Sequence, residues 1–372
     1  MSDSILDLEA LLAPLEAGDG AGQDPRADEG ANAPYQKLRD ARSEARAEER
    51  ELDSRPGEDN PPPQQWRDVL RFGTECLVKR GKDFEVAAFM TEALVRQQGL
   101  AGLIAGTRLL NGLLDQYWEI GFPQPEDDLP ADERMEGRSA PIGGLSGEGV
   151  DGTIMQALRR ITLFHEPDGK AVSLYLWMQA EETAGIAEEP RRKARYAKGV
   201  PTMEAANTAA HADAAYMKGV GLGALRAAAV WVELGTRLDQ RFGANAPSTR
   251  RVTEVLAKIQ SVVVAIHGPL VDPNAVAAET EAAGEEAGDM AAEAGGGGGK
   301  RAIKTRDDVI RLIEEAADWF LKTEPHSPMA FTLTDAVRRA RMPLPELLAE
   351  VLPDAAARKA MLTMLGIRQP EG

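Results

Sequence analysis

The sequence predicts an all-α protein. Three observations carry this. Alanine and leucine dominate while aromatic residues make up only 5% of the chain, and Ala and Leu favour helix where strands prefer β-branched and aromatic side chains. Apolar residues recur at spacings of three and four through most of the length. Continuous apolar runs of membrane-spanning length are absent from the sequence, so antiparallel helical hairpins and bundles with ordinary amphipathic faces are expected.

The elements follow in order. Ile5, Leu8, Leu11 and Leu12 sit at helical spacing ahead of Pro14, a short amphipathic element. Residues 18–34 are rich in Gly, Asp and Pro and read as irregular. Tyr35–Leu52 returns to helix formers with charges of both signs, which predicts an exposed helix laced by salt bridges. Pro61–Pro63 ends it with a stiff extended link. Then come three stripes: Trp66, Val69, Leu70, Gly73, Cys76 and Leu77; Val86, Phe89, Met90, Ala93 and Leu94; and Leu103, Thr107, Leu110, Leu114 and Trp118. Short turns at Gly81-Lys82-Asp83 and Gln98-Gly99 force these helices antiparallel.

Pro123–Gly149 reads as a loop, Thr153–Leu163 as a further helix, and Glu166–Gly169 as a break. Residues 171–240 are Ala-rich and helical in pattern, interrupted by EEPRRKARYAKGVP. Ala227, Val230, Trp231, Leu234, Leu238 and Phe242 pair with the stripe Val252, Val255, Leu256, Ile259, Val262, Val263 and Ile266 as a long helical hairpin. Residues 272–300 hold almost no core former and read as a flexible acidic Ala/Gly linker, with a random-coil reach of roughly 30 Å. Beyond it lies a small helical unit whose first stripe is Val309, Ile313, Ala316 and Phe320. The domain reading is 1–165, a middle helical region 166–271, the linker 272–300, and a C-terminal domain 301–372.

The formal net charge of −17 makes general binding to nucleic acid or anionic membrane unfavourable. One cysteine excludes an internal disulfide and suits a reducing compartment, and the N-terminus has no basic region or apolar run of a secretory signal. A cytoplasmic protein is expected.

Reactive motifs are few. Gly147–Gly152 matches G-x-G-x-x-G, but SAPIGGLS before it is a poor strand, and Glu148 and Asp151 would set carboxylates beside a phosphate. The run ending at Lys300 lacks the first Gly and the Ser/Thr of a P-loop. His165, His211, His267 and His326 are scattered, without metal-ligand spacing. Cys76 lies on an apolar stripe and reads as a core residue rather than a nucleophile. Arg191–Tyr196 is a basic run that reads as a solvated loop, with docking of an acidic partner as the sharper alternative. Gly102-x-x-x-Gly106 fits close approach of two helices. Hence no catalytic, cofactor-binding or metal-binding residue is assigned, and no cofactor or enzymatic activity is expected.

The tail holds the remaining signal. Pro325 and Pro328 bracket a rigid turn, and a unit of this size has too much surface for its core. Self-association through Trp319, Phe320, Phe331, Leu347 and Leu348 is expected. The competing reading places those five in the tail's own core.

LLAPL (11–15), GAGQDPR (20–26), WRDVL (66–70) and KDFEVAAFMTEALVRQQGLAGLIAGTRLLNGLLDQYWE (82–119) resemble the ImpA-type N-terminal domain of the TssA family, components of the bacterial type VI secretion system. EPHSP (324–328) and LPELLAEVLPD (344–354) resemble the C-terminal part of the same proteins. The resemblance implies a non-catalytic homo-oligomer, ring-forming through its C-terminal region. It would contact the baseplate, inner tube and contractile sheath and guide their assembly, without membrane insertion; the tail is similar to that of the shorter, baseplate-linked members. The alternative is a helical adaptor or chaperone unrelated to secretion.

Overall fold

The computed structural model describes residues 5–53, 61–125, 129–130, 133–272, 306–323, 328–342 and 350. The chain divides into two compact units, Met1–Ala283 and Gly284–Gly372. The described residues of both are mainly helical, with one short two-stranded sheet in the first unit.

The first unit opens with α1 (Leu8–Leu12), whose start is fixed by the Asp7 carboxylate accepting the Ala10 N–H at 3.0 Å. After the 3-10 turn Pro25–Ala27 come α2 (Pro34–Asp53), α3 (Gln65–Lys79) and α4 (Phe84–Gln116). α2 packs on α3 and α3 on α4. The stripe expected on α3 is its buried face: Trp66, Val69, Gly73, Cys76 and Leu77 are all buried.

α4 is two helical segments folded back at Gly99, where φ is 55° and ψ −128°, a conformation glycine reaches without penalty. Small residues let the two arms touch backbone to backbone. A Cβ on Gly102 would lie 2.0 Å from the Leu94 carbonyl oxygen, and one on Gly106 would lie 2.5 Å from Thr91 Oγ1. Gly102-x-x-x-Gly106 is thus a packing device within the hairpin.

Two stretches depart from the sequence reading. Within 123–149, expected as a loop, Glu136–Ser146 forms α5 despite an internal Pro141. Tertiary contacts override propensity there: Ile142 and Leu145 are buried, and Arg138 beneath them donates to the carbonyls of Trp118, Gly121 (2.7 Å) and Pro123 (2.5 Å). The helix expected over Thr153–Leu163 stops early, as α6 (Met155–Arg159), and β1 (Thr162–His165) follows. β1 pairs antiparallel with β2 (Ala171–Ser173) across the Pro167-Asp168-Gly169 turn, where Glu166 N–H meets the Lys170 carbonyl at 2.8 Å. Leu163, Phe164 and Val172 sit in the core, so burial of a β-branched and aromatic pair wins over helix continuation.

The Ala-rich part yields α7 (Leu174–Ala184), α8 (Glu189–Ala197), α9 (Met203–Ala212), α10 (Ala214–Phe242) and α11 (Arg250–His267). The basic run 191–196, expected as a loop, lies on α8, with no fully buried residue and with Arg195 forked onto Glu182 at 3.0 Å. α10 and α11 form the expected hairpin, its seam made of Val230, Trp231, Leu234, Leu238, Val252, Leu256, Ile259 and Val263. α10 packs against α4 as well. Trp118 meets Phe242 edge to face at 5.0 Å, and one hydrophobic core runs from Leu11 to Val263.

In the second unit α12 (Arg306–Thr323) packs against α13 (Pro328–Arg341). Among the described residues of this unit, Ile310, Ala317 and Val337 are buried, while Val309 is exposed. Ala316 is exposed too, so the inner face of α12 lies one residue beyond the expected stripe at those two positions. The linker expected over 272–300 lies, after Asp272, outside the described residues.

Candidate functional site

The buried polar side chains of the first unit tie elements together. Asp83 caps α4, accepting the Val86 N–H at 2.9 Å, and its carboxylate also receives Arg26. The other arm of Arg26 reaches Glu85 at 2.6 Å, and Glu85 accepts the Tyr35 hydroxyl at 2.5 Å. One cluster thereby pins the 3-10 turn, α2 and α4. Burial pushes the Asp83 carboxyl up to about 6 against the pull of Arg26. Burial and the hydrogen bond to Glu85 raise the Tyr35 phenol. Lys82, buried next to it, donates to the carbonyls of Leu11 (2.7 Å) and Leu77 (2.8 Å), holding α1 to α3; burial lowers its ammonium to about 8.

A second cluster centres on Glu92 of α4. Arg42 and Arg46 of α2 each donate Nε to one of its carboxylate oxygens, both at 2.7 Å. Arg96, one turn on, pairs with Glu49 at 2.7 Å, donates to the Thr153 carbonyl at 3.0 Å and stacks over Trp66. α2 was expected to be an exposed helix, yet Tyr35, Leu38, Ala41 and Ala45 are buried and its arginines look across to α4. Its charges are sorted by face. Arg39, Arg42, Arg46 and Arg50 line one flank, with Asp40, Glu44, Glu48 and Glu51 about a third of a turn or more away. Arg39, Arg42, Ser43, Arg46 and Arg50 line a cleft of about 260 Å³ with Phe89 at its base. Sequence reading missed this row, although the like-signed i, i+4 spacing at 42, 46 and 50 was there to find.

The reactive motifs resolve as packing. Gly147–Gly152 is a turn closed by its own backbone: Gly147 N–H bonds the Gly143 carbonyl at 2.7 Å and Gly152 N–H the Ser146 carbonyl at 3.0 Å. Asp151 in the same turn pairs with Arg159 and with Arg251 at 2.8 Å. Cys76 is buried, and burial pushes its thiol up to about 12. His165 meets Asp213 at 2.9 Å beside Tyr216, and His211 faces His267 at 5.5 Å. Among the described residues no three metal-ligating side chains converge, and no helix is long and apolar enough to cross a membrane.

Of the residues expected to mediate self-association, Trp319 is 56% and Phe331 62% exposed. Phe320 is half-buried and stacks edge to face on Trp319 at 5.2 Å. Leu347 and Leu348 lie outside the described residues.

Residues 12–147, the part built from α1 to α5, match the family described as ImpA, N-terminal, type VI secretion system. The chain is 26% identical over 296 residues to the type VI secretion system component TssA1 of Pseudomonas aeruginosa, covering 78% of this chain and 81% of that one. The matched region is the ImpA N-terminal region, and the chain is similar along most of its length to a TssA protein. The fold of its first unit agrees. The N-terminal domain, including the conserved ImpA_N region, of the TssA component from Burkholderia cenocepacia superposes with a TM-score of 0.55 at 24% identity, over 70% of this chain and 93% of that one. The chain is thus similar to type VI secretion system components, and the buried clusters around Asp83 and Glu92 lie inside the matched region 12–147.

Proposed function

We propose that this chain is a non-catalytic assembly protein of the TssA family. The C-terminal unit gathers copies into a cytoplasmic ring, and each N-terminal unit grips baseplate, inner tube or sheath proteins of the type VI apparatus. The observation that carries this reading is the pair of aromatic side chains on the tail helices, Trp319 and Phe331, more than half exposed in a unit whose described core is three small or medium residues. Large apolar groups left in water on both helices of so small a unit support the reading of an association surface. Joining copies at one end multiplies weak grips at the other, because each further contact forms at high effective concentration.

Light scattering on the full chain is expected to give an oligomer mass at micromolar concentration. Deleting residues 301–372 is expected to give a monomer whose first unit keeps its helices. A full chain that scatters as a monomer overturns the ring, and co-purification with baseplate, tube and sheath proteins one at a time assigns the partner.

A further inference from the structure

We propose that the arginine cleft on α2 binds an acidic polypeptide segment of a protein partner, one whose carboxylates recur at helical spacing. The inference rests on the docking role given above to the N-terminal unit and names the chemistry that it docks.

Arg42, Arg46 and Arg50 follow one another at i, i+4, with Arg39 three residues earlier. Like charges at that spacing repel on a helix surface, and this row sits in a chain of net charge −17. Glu92 supplies one negative charge to it. Arg39 and Arg50 form no ion pair with any described residue; Arg39 has only the Tyr35 ring, 5.9 Å away.

Glu92 takes Nε alone from Arg42 and from Arg46. The terminal nitrogens of both guanidinium groups therefore remain for a ligand. Arg42 lies 3.9 Å over the Phe89 ring, which fixes its plane before anything binds. Guanidinium groups held in plane with two free N–H arms match a carboxylate in bidentate fashion.

From residue 39 to residue 50 the row covers about 16 Å at 1.5 Å per residue, three turns of a facing helix. The cleft's volume of about 260 Å³ falls below the usual range of small-molecule pockets. A nucleic-acid backbone running past the row would meet Asp40, Glu44, Glu48 and Glu51 on the same helix, whereas carboxylate side chains reaching into the cleft from a facing helix would not.

The test uses the full chain and a fluorescein-labelled helical peptide with glutamates at i, i+3, i+7 and i+11, read by fluorescence anisotropy. Saturable binding is expected, weakening at least tenfold in R39E/R50E, which removes no hydrogen bond or ion pair of either buried cluster, and staying within twofold of wild type in D40K/E44K. A peptide of equal composition with clustered glutamates is expected to bind at least fivefold more weakly. Equal binding by wild type and R39E/R50E, no binding by wild type, or displacement of the peptide by stoichiometric inorganic phosphate or a single-stranded oligonucleotide overturns the proposal. Peptide binding by a chain that scatters as a monomer would instead sink the ring and leave the cleft standing.

Discussion

Glu92 and Arg46 meet across 46 residues of sequence, the carboxylate 1% and the guanidinium 31% exposed, at 2.7 Å. With Arg42 on the other oxygen, Glu92 fastens α2 to α4. Replacing one member of such a cluster leaves the others desolvated and unpaired. Glu92→Gln keeps the shape but turns an amide N–H₂ toward one arginine. We expect a loss of about 2–3 kcal/mol in urea unfolding, because both arginines retain partial solvent. A loss under about 0.5 kcal/mol would mean that apolar contacts alone hold α2.

Asp83 gives a pH signature. Its carboxyl sits at about 6 in the folded chain against an ordinary 3.8. The folded state holds this proton more tightly, so the contribution is full below pH 3.8 and is lost as pH rises through 6, about 3 kcal/mol in all. Other carboxylates, Asp151 and Asp213 among them, are depressed and act the opposite way at lower pH. The quantity to follow is therefore the stability of wild type minus that of D83N, from urea titrations between pH 4 and 6.5. It should fall with rising pH; a flat or rising difference would place the proton elsewhere.

How much of this was legible depends on the range of the interaction. The stripes at Trp66–Leu77 and along the α10–α11 seam are local periodicities, and they became the buried faces they predicted. Gly102 and Gly106 were legible because a small residue every fourth position has a direct geometric use. α5 was not, since Pro141 and a run of glycines mask a helix held by Arg138 and by Ile142 in the core. Nor was the hairpin Thr162–Ser173, where a few β-branched and aromatic residues compete with a preceding helical period. The arginine row was present in the sequence, but which flank it took depended on Glu92 arriving from another helix.

The arms of the α4 hairpin give a steric prediction. Gly102→Ala would bring Cβ within 2.0 Å of the Leu94 carbonyl oxygen and 2.4 Å of its carbon. Backbone on both sides cannot rotate away, so the arms must part. We expect a loss of about 2–4 kcal/mol. Gly144→Ala, with nothing within 4 Å of the new atom, is the matched control and should stay within about 1 kcal/mol of wild type. Thermal melts of the two variants side by side decide whether the contact or the glycine itself matters.

The tail separates association from folding. α12 and α13 are held to each other by Ile310, Ala317 and Val337, and by Arg341 on Glu314 at 2.6 Å. Trp319 and Phe331 are not needed for that contact, being mostly exposed. If they form the surface between copies, W319S/F331S should lower the light-scattering mass toward that of one chain while circular dichroism stays unchanged. If they fill the tail's own core, the same variant should lose helix and expose residues 301–372 to limited proteolysis. The two readings thus predict opposite changes in protease sensitivity, and an oligomer mass that survives the double substitution, with helix intact, would put the interface on other residues.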